Sequence, residues 1–484
     1  HCLLRRQRQM CIRDRGSTAI QISGIAFDSR SITQQSLFVA VKGIHQDGHT
    51  YINNAVDNGA VAVLCEHIPD ILIDKVVYMS CENTRQALAT VASQWYNTPS
   101  KALKLIGITG TNGKTSVATM AYQLFDKMGF ATGLLSTVEI RIIKKIVLST
   151  HTTPDSLTIN KNLRDMVDAG VTHCFMEVSS HGIDQDRIVD LYFSGGVFTN
   201  LTHDHLDYHN DFKSYRDTKK IFFDKLGTTA FALSNADDKN GRYMLQNTKA
   251  SKYFFGLKSF VDFNVKILEK DFSGMLLKLQ HNEVWTPLVG GFNASNFISV
   301  YALTELLGIE QSDFLPALST LKGAAGRFQI VHTNSNITAI VDYAHTPDAL
   351  KQVLDTITML RTRNEKLITV VGCGGNRDKA KRPLMAKAAV AKSDLTIFTS
   401  DNSRNEDPND IIKDMLIGVP VESKQKYLTV LNRAQAIKTA CTMAQDQDII
   451  LVAGKGHETY QDQNGERLPF DDMQELTQNL QFKR

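Results

Sequence analysis

The sequence predicts an α/β protein of three domains, the second and third built on largely parallel sheets. Three observations lead there. Residues 103–120, LKLIGITGTNGKTSVATM, pass from an apolar run through a glycine turn into a helix-forming stretch, the strand–loop–helix order of a phosphate cradle. Strand and helix patterns alternate from Lys101 to Gly326, as in a doubly wound sheet, and restart at Phe328 with four more strands. At 484 residues the chain is also too long for one ordinary core.

The central stretch sets the chemistry. Leu105, Ile106 and Ile108 read as a short buried strand, and Gly110-Thr111-Asn112-Gly113 as the turn that follows it. Glycines let backbone N–H groups point inward. The helix starting at Lys114-Thr115-Ser116 favours anionic charge at its N-terminus, and Lys114 adds a cation. Thr115 is placed to offer a hydroxyl to Mg²⁺. The fit to G-x-x-x-x-G-K-[ST] is imperfect, because Ile108 stands six before Lys114 and the glycine, Gly107, comes one residue early. The flanking strand and helix still make nucleotide binding the expectation.

Composition narrows the class. The chain is 42% apolar and 22% charged with a net charge of +3, so nothing points to nucleic acid, and no apolar run approaches membrane-spanning length. Seven scattered cysteines without a CxxC pair suit a reducing cytoplasm and argue against structural disulfides or a zinc site. Residues 1–15, HCLLRRQRQMCIRDR, are strongly basic, lack a signal-peptide core and resemble translated sequencing-adapter sequence. They are expected to be a non-native or disordered leader outside the fold.

Residues 16–100 alternate short strands and helices and end at Asn97-Thr98-Pro99-Ser100, where proline and the residue before it resist helix. In the next domain, 101–327, residues 157–169 read as a helix and 171–178 as a strand that delivers Glu177 to its carboxyl end, the place for a metal-binding acid beside a phosphate loop. A strand over 195–202 runs into His203-Asp204-His205-Leu206-Asp207-Tyr208-His209. That cluster invites zinc, but no H-x-x-x-H helix or cysteine partner accompanies it, and Mg²⁺ shared with nucleotide phosphates is favoured. In the last domain, 328–484, strands over 337–345, 366–375, 393–401 and 448–458 end mostly in Gly, Arg, Asn or Asp groups that would line a crevice. Gly372-x-Gly374-Gly375 departs from the dinucleotide fingerprint.

Taken in order, the motifs resemble the Mur ligase family over essentially all of 20–484. They are TGTNGKTS (109–116), STHTTPDS (149–156), MEVSSHGIDQDRI (176–188), FTNLTHDHLDYH (198–209), YRDTKKIFF (215–223), GGFNASN (290–296), GRF (326–328), DYAHTPDAL (342–350), GCGGNRDKAKRP (372–383), DNSRNEDP (401–408) and AGKGHETYQ (453–461). One such motif is weak, whereas the ordered set is specific.

The resemblance implies a cytoplasmic, ATP-dependent amide ligase of peptidoglycan precursor synthesis, working as a monomer. Its N-terminal domain would bind the uridine end of UDP-N-acetylmuramoyl-dipeptide through Ser29, Arg30, His45 and Gln46. Thr152, Thr153, Ser179, Gln185 and Arg187 match residues that grip the sugar-peptide. Asn296 and Arg327 match nucleotide contacts, with Asp342 and His345 in the same region. Glu177 and Thr115 would hold one Mg²⁺, His205 a second, and Lys219 matches a lysine carbamylated by CO₂. Arg377, Asp401, Asn402, Arg404, Gly454 and Glu458 match an amino-acid site for meso-diaminopimelate, Arg404 taking its distal carboxylate and Glu458 its distal ammonium. Two departures stand out: Asn376 replaces an Asp, and Ser403 replaces the Pro of the family's DNPR signature. Addition of lysine is the closest alternative, followed by a folylpolyglutamate-synthetase-like ligase. A GTPase-type switch would carry N-K-x-D, which is absent.

Overall fold

A computed structural model describes residues 13–15, 20–43, 46–149, 151–204, 206–209, 211–258, 260–331, 336–362 and 364–481. The expected contributions of His45 and His205 lie outside the described residues. Among the described residues no helix is long and apolar enough to cross a membrane.

The N-terminal sheet runs Arg13–Arg15, Val77–Ser80, Ala60–Cys65, Ser36–Val39, Gly24–Ala26, parallel throughout except at the first edge. Residues 1–15 are expected outside the fold, yet Arg13–Arg15 pairs with Val77–Ser80 as that edge. The helix Thr84–Trp95 starts where the Asn83 side chain accepts the N–H groups of Arg85 and Gln86, satisfying two donors that a helix start leaves unpaired. Its apolar face, Ala87, Leu88 and Val91, packs on the sheet, and the helix also lies against Ser156–Asp168 of the next domain. Asn83 and Gln86 reach across to the Asp186 carboxylate.

Six parallel strands form the middle of the central sheet, in the order Ser251–Gly256, Phe231–Asn235, Gly195–Phe198, Lys104–Thr109, His173–Glu177, Thr132–Leu135. Helices Lys114–Lys127 and Gly291–Leu306 cover one face through Val117, Met120, Leu124, Phe297 and Tyr301. Ser156–Asp168 and Phe212–Asp224 cover the other through Ile159, Leu163, Phe222 and Phe223. The sheet is less purely parallel than expected. Arms extend both ends: Glu139–Ile142 and Lys145–Leu148, both antiparallel, at one, and at the other Phe263–Asp271, which joins Ser251–Gly256 in parallel, followed by the antiparallel Gly274–Leu279 and Asn282–Thr286. Two-residue links leave no length for a crossover, so the strands within each arm must run antiparallel.

In the C-terminal domain the order is Gln329–Val331, Thr338–Asp342, Ile449–Ala453, Leu367–Val371, Leu395–Phe398, Tyr427–Thr429, with only the first strand antiparallel. The four expected strands form the middle and two three-residue strands complete the edges. The helix Asp472–Gln481 is tied down by a fully buried ion pair. Arg433 Nε and Nη2 each donate to the Asp472 carboxylate at 2.7 Å, and Nη2 also donates to Ala453 O at 3.0 Å. Removing one partner strands a charge in the interior, so Asp472→Ala should cost about 3–5 kcal/mol of stability. Urea unfolding measures this; a loss under 1 kcal/mol, roughly that of an exposed pair, would refute it.

Candidate active site

Strand register brings the chemistry to one edge. Glu177 pairs with Ile108, two residues before Gly110, so its carboxylate stands beside the glycine turn. The next residues fold over the preceding strand ends. Thr153 Oγ1 donates to Glu177 O and accepts the N–H of Ser179, whose hydroxyl caps the helix Ser180–Asp184. Arg187 donates to Thr153 O and Gln185 Oε1, and Gln185 donates to Tyr208 OH. Thr152, Thr153, Ser179, Gln185 and Arg187 are therefore one connected surface beside Glu177.

The phosphate loop is pinned from behind. Thr199 Oγ1 and Asn200 Nδ2 donate to Asn112 O, and Asn112 N–H donates to Asn200 Oδ1. Thr111 Oγ1 lies 3.1 Å from Tyr215 OH. Gly113 takes φ +87°, and a Cβ there would fall 2.6 Å from Asn296 Oδ1, so glycine is needed both for the turn and for the Asn296 contact. Ser116 is buried one turn into the helix behind the loop.

Two lysines meet at this loop. Lys114 Nζ donates to Gly110 O and Thr111 O at 3.0 and 2.8 Å. Lys219, buried, donates to the same Gly110 O at 3.0 Å and lies over the Tyr215 ring. Burial lowers the Lys114 pKa while the Glu177 and Asp204 carboxylates oppose that shift. Burial, then repulsion from Lys114, drives the Lys219 pKa far below the usual lysine range, against the pull of Asp204. Lys219 is thus held where its charged form is disfavoured.

Glu177 is fully buried. Its Oε1 accepts the N–H of Thr137 at 2.7 Å, while Oε2 has no hydrogen-bond partner. A buried carboxylate oxygen left open, 0% exposed and next to Thr115, fits a hard cation with oxygen ligands. Among the described residues no group of three or more His, Cys, Asp or Glu is placed to hold a metal.

The C-terminal domain closes the other wall. Arg327 lies over the Tyr343 ring, 4.3 Å from its centroid, with Nη2 3.5 Å from Thr115 Oγ1. Asp342 spends both oxygens on backbone, accepting the N–H groups of Phe328 and Ala344, and so fixes the linker. Burial, aided by Lys381, pushes the His345 pKa down to about 4. The ring is neutral at pH 7, and its Nδ1 lies 2.9 Å from Tyr343 O, which leaves Nε2 as the acceptor. Gly326 and Gly456, at φ +66° and +55°, meet backbone to backbone. A Cβ on Gly326 would lie 2.1 Å from His457 N, and one on Gly456 2.7 Å from Gly326 O.

Between these walls is a cleft of about 250 Å³. Thr111, Asn112, Gly113, Lys114, Thr115, Thr152 and Glu177 line it from the central domain, and Arg327, His345, Arg377, Asp401, Asn402, Arg404, Gly454 and Glu458 from the other wall. Gly110, Ser116, Lys219, Asn296 and Asp342 stand behind it as supports. Ser29, Arg30 and Gln46 are not in its lining; Arg30 is exposed and paired with Asp28. Sequence reasoning gave no part to the cleft residues Thr137, Tyr343, Cys373, Asp378 and Lys381, and weighed Asp204 only within the His203–His209 cluster. It also noted the Gly454-Lys455-Gly456 loop without giving Lys455 a part.

On the amino-acid side, Arg404 adopts φ +51° and Nη1 donates to Gly375 O at 2.7 Å. Asn376 lies at φ +52°, a conformation asparagine tolerates, and its Oδ1 accepts the Asn405 N–H. That is a structural use for the residue standing where an Asp is usual. Burial would raise the Asp401 pKa, but Lys455 and Arg433 outweigh it and hold the carboxyl below its ordinary range.

Comparison with known proteins agrees with this layout. Family models described as Mur ligase family, catalytic domain; Mur ligase middle domain; and Mur ligase, glutamate ligase domain match residues 21–96, 108–304 and 326–456. UDP-N-acetylmuramoyl-L-alanyl-D-glutamate--2,6-diaminopimelate ligase of Cytophaga hutchinsonii is 51% identical over 458 residues, 94% of each chain. The protein of the same name from Phocaeicola vulgatus is 50% identical over 461 residues, 95% of each. A solved structure of a ligase of that name superposes with TM-score 0.68 at 31% identity, covering 96% of this chain and 97% of that one. Folylpolyglutamate synthase of Mycobacterium tuberculosis, complexed with ADP, shares the fold at TM-score 0.62 and 17% identity but covers 76% of this chain. With half of its residues shared across nearly its full length, N-terminal sheet included, this chain belongs to the Mur ligase family.

Proposed function

We propose that this protein is a cytoplasmic ATP-dependent ligase that joins an amine of meso-2,6-diaminopimelate to the γ-carboxyl of D-glutamate in UDP-N-acetylmuramoyl-L-alanyl-D-glutamate, a step of peptidoglycan precursor synthesis. One observation supports it above the rest: a phosphate loop and an Arg404/Glu458 pair of opposite charge line the same cleft. The half-identical relatives carry that name, and the folylpolyglutamate alternative leaves part of the chain without a counterpart.

In this reading the γ-carboxylate of D-glutamate attacks the γ-phosphorus of ATP, forming an O–P bond as ADP leaves. The amine then attacks the acyl carbon of the acyl phosphate, the C–N bond forms, and inorganic phosphate departs while the amine loses a proton. Lys114 and the loop amides stabilise charge on the transferred phosphoryl group. Arg327, above Thr115, adds a second cation, and Gly113 and Asn296 shape the nucleotide side. Thr115 and Glu177 would hold Mg²⁺, joined for a second ion by His205 and a carbamylated Lys219. Bound there, Mg²⁺ supplies charge neutralisation for the phosphates. CO₂ would add to the unprotonated Lys219 amine, an N–C bond forming as one C=O π bond opens to the carboxylate and the nitrogen gives up a proton to solvent, which leaves an anionic carbamate. Thr152, Thr153, Ser179, Gln185 and Arg187 position the sugar-peptide, and Ser29, Arg30, His45 and Gln46 take its uridine end.

Supplying UDP-N-acetylmuramoyl-dipeptide, ATP and a panel of amino acids, while following ADP and the ligated product, tests the assignment. Arg404 contributes two charge-assisted hydrogen bonds to the distal carboxylate. At about 1.5–3 kcal/mol each, they should favour diaminopimelate over lysine by about a hundredfold or more. Arg404→Ala should lose most of that preference. Ligation of lysine by the unaltered enzyme at a matching rate would show the choice of amino acid to be wrong.

A further inference from the structure

Lys455, beside the cleft, is completely buried, at 0% exposure, and the ligase reading gives it no part. Its Nζ donates to Asn402 Oδ1 and to Glu458 Oε2, each at 2.9 Å, and stands 4.0 Å from Asp401 Oδ1. Asn402 Nδ2 donates to the same Glu458 Oε2 at 2.8 Å. Glu458 is thus held by one oxygen. Its other oxygen, Oε1, has only Tyr343 OH at 3.5 Å, a contact too long to satisfy it. The charges add up the same way. Asp401 and Glu458 carry two negative charges and Lys455 one positive, so the trio keeps a single net negative charge next to Arg404.

We propose that Lys455 is a positioning residue that clamps Glu458 and Asn402 so that Glu458 Oε1 faces the cleft as the acceptor that selects an amino acid with a distal ammonium. This rests on the ligase reading above. Without the clamp, Glu458 keeps only its bond from Asn402, and the buried Asp401 and half-buried Glu458 carboxylates are left without the ammonium between them. A desolvated, charge-assisted contact depends strongly on such orientation.

The test compares diaminopimelate with 2-aminopimelate, which keeps the distal carboxylate but lacks the distal ammonium, in the unaltered enzyme and in Lys455→Met. The unaltered enzyme should prefer diaminopimelate by about tenfold or more in kcat/KM, the worth of one such contact. In Lys455→Met the KM for diaminopimelate should rise about tenfold, that for 2-aminopimelate should change little, and the KM for ATP should stay within about twofold. If Lys455→Met does not yield folded protein, Lys455→Gln, with and without Asp401→Asn, is measured instead. Removing the second carboxylate should recover at least a threefold part of the lost diaminopimelate affinity by restoring the charge balance. Equal losses on both amino acids, unchanged preference in the variant, or no recovery on restoring the balance would each overturn the proposal. Failure of the unaltered enzyme to ligate any amino acid would instead overturn the ligase reading.

Discussion

Lys219→Ala should be inactive in ligation and should regain part of its activity when acetate or formate is added. The expectation follows from where the amine is held. Lys219 is buried, shares Gly110 O with Lys114, and is driven toward the neutral state by burial and by that neighbour. A buried amine whose charged form is disfavoured suits capture of CO₂, and the resulting carbamate is the anion a small carboxylate imitates. Steady-state turnover with and without the added anion decides it. An alanine variant of full activity would refute the role. The thermal midpoint distinguishes loss of function from loss of fold, since the variant also gives up the bond to Gly110 O.

Lys114→Ala should lose about 3 kcal/mol or more of transition-state stabilisation, roughly a hundredfold or more in kcat. Its thermal unfolding should change little. The Lys114 ammonium bonds only to carbonyls of its own loop, and Thr199 and Asn200 hold that loop independently. Near-normal turnover in the variant would sink the phosphate-cradle assignment. An equal loss in ATP binding and in turnover would show that Lys114 serves the ground state as much as the transition state.

Much of this was visible in the chain before folding. Glu177 could be placed because a strand pattern ended on it, and parallel register did the rest by setting it two residues from the glycine turn. The alternation of apolar runs with helix patterns located the middle strands of both large sheets, since a strand buried on both faces reads as a continuous apolar run. The antiparallel arms were not visible for a specific reason. Their turns are Ile143-Lys144, Phe272-Ser273 and Gln280-His281, none of which carries the Asn-Gly or Asp-Gly signal of a two-residue hairpin. Lys455 escaped notice because a lysine between glycines looks like a surface loop. Only the fold shows it enclosed by Asn402 and Glu458, the first of them more than fifty residues away. Asp342 was the reverse case: its motif suggested a nucleotide contact, and its two oxygens are in fact taken up by the backbone around the linker.

The contact between Gly326 and Gly456 bears on any attempt to breed a new amino-acid preference into this scaffold. The first glycine ends the connection between the two large domains and the second sits in the loop that presents Glu458, and neither has space for a methyl group. A randomised library that included these two positions would return glycine at both, whatever substrate was selected for. Diversity is better placed at Asn376 and Ser403, where this chain departs from the family motif its sequence resembles.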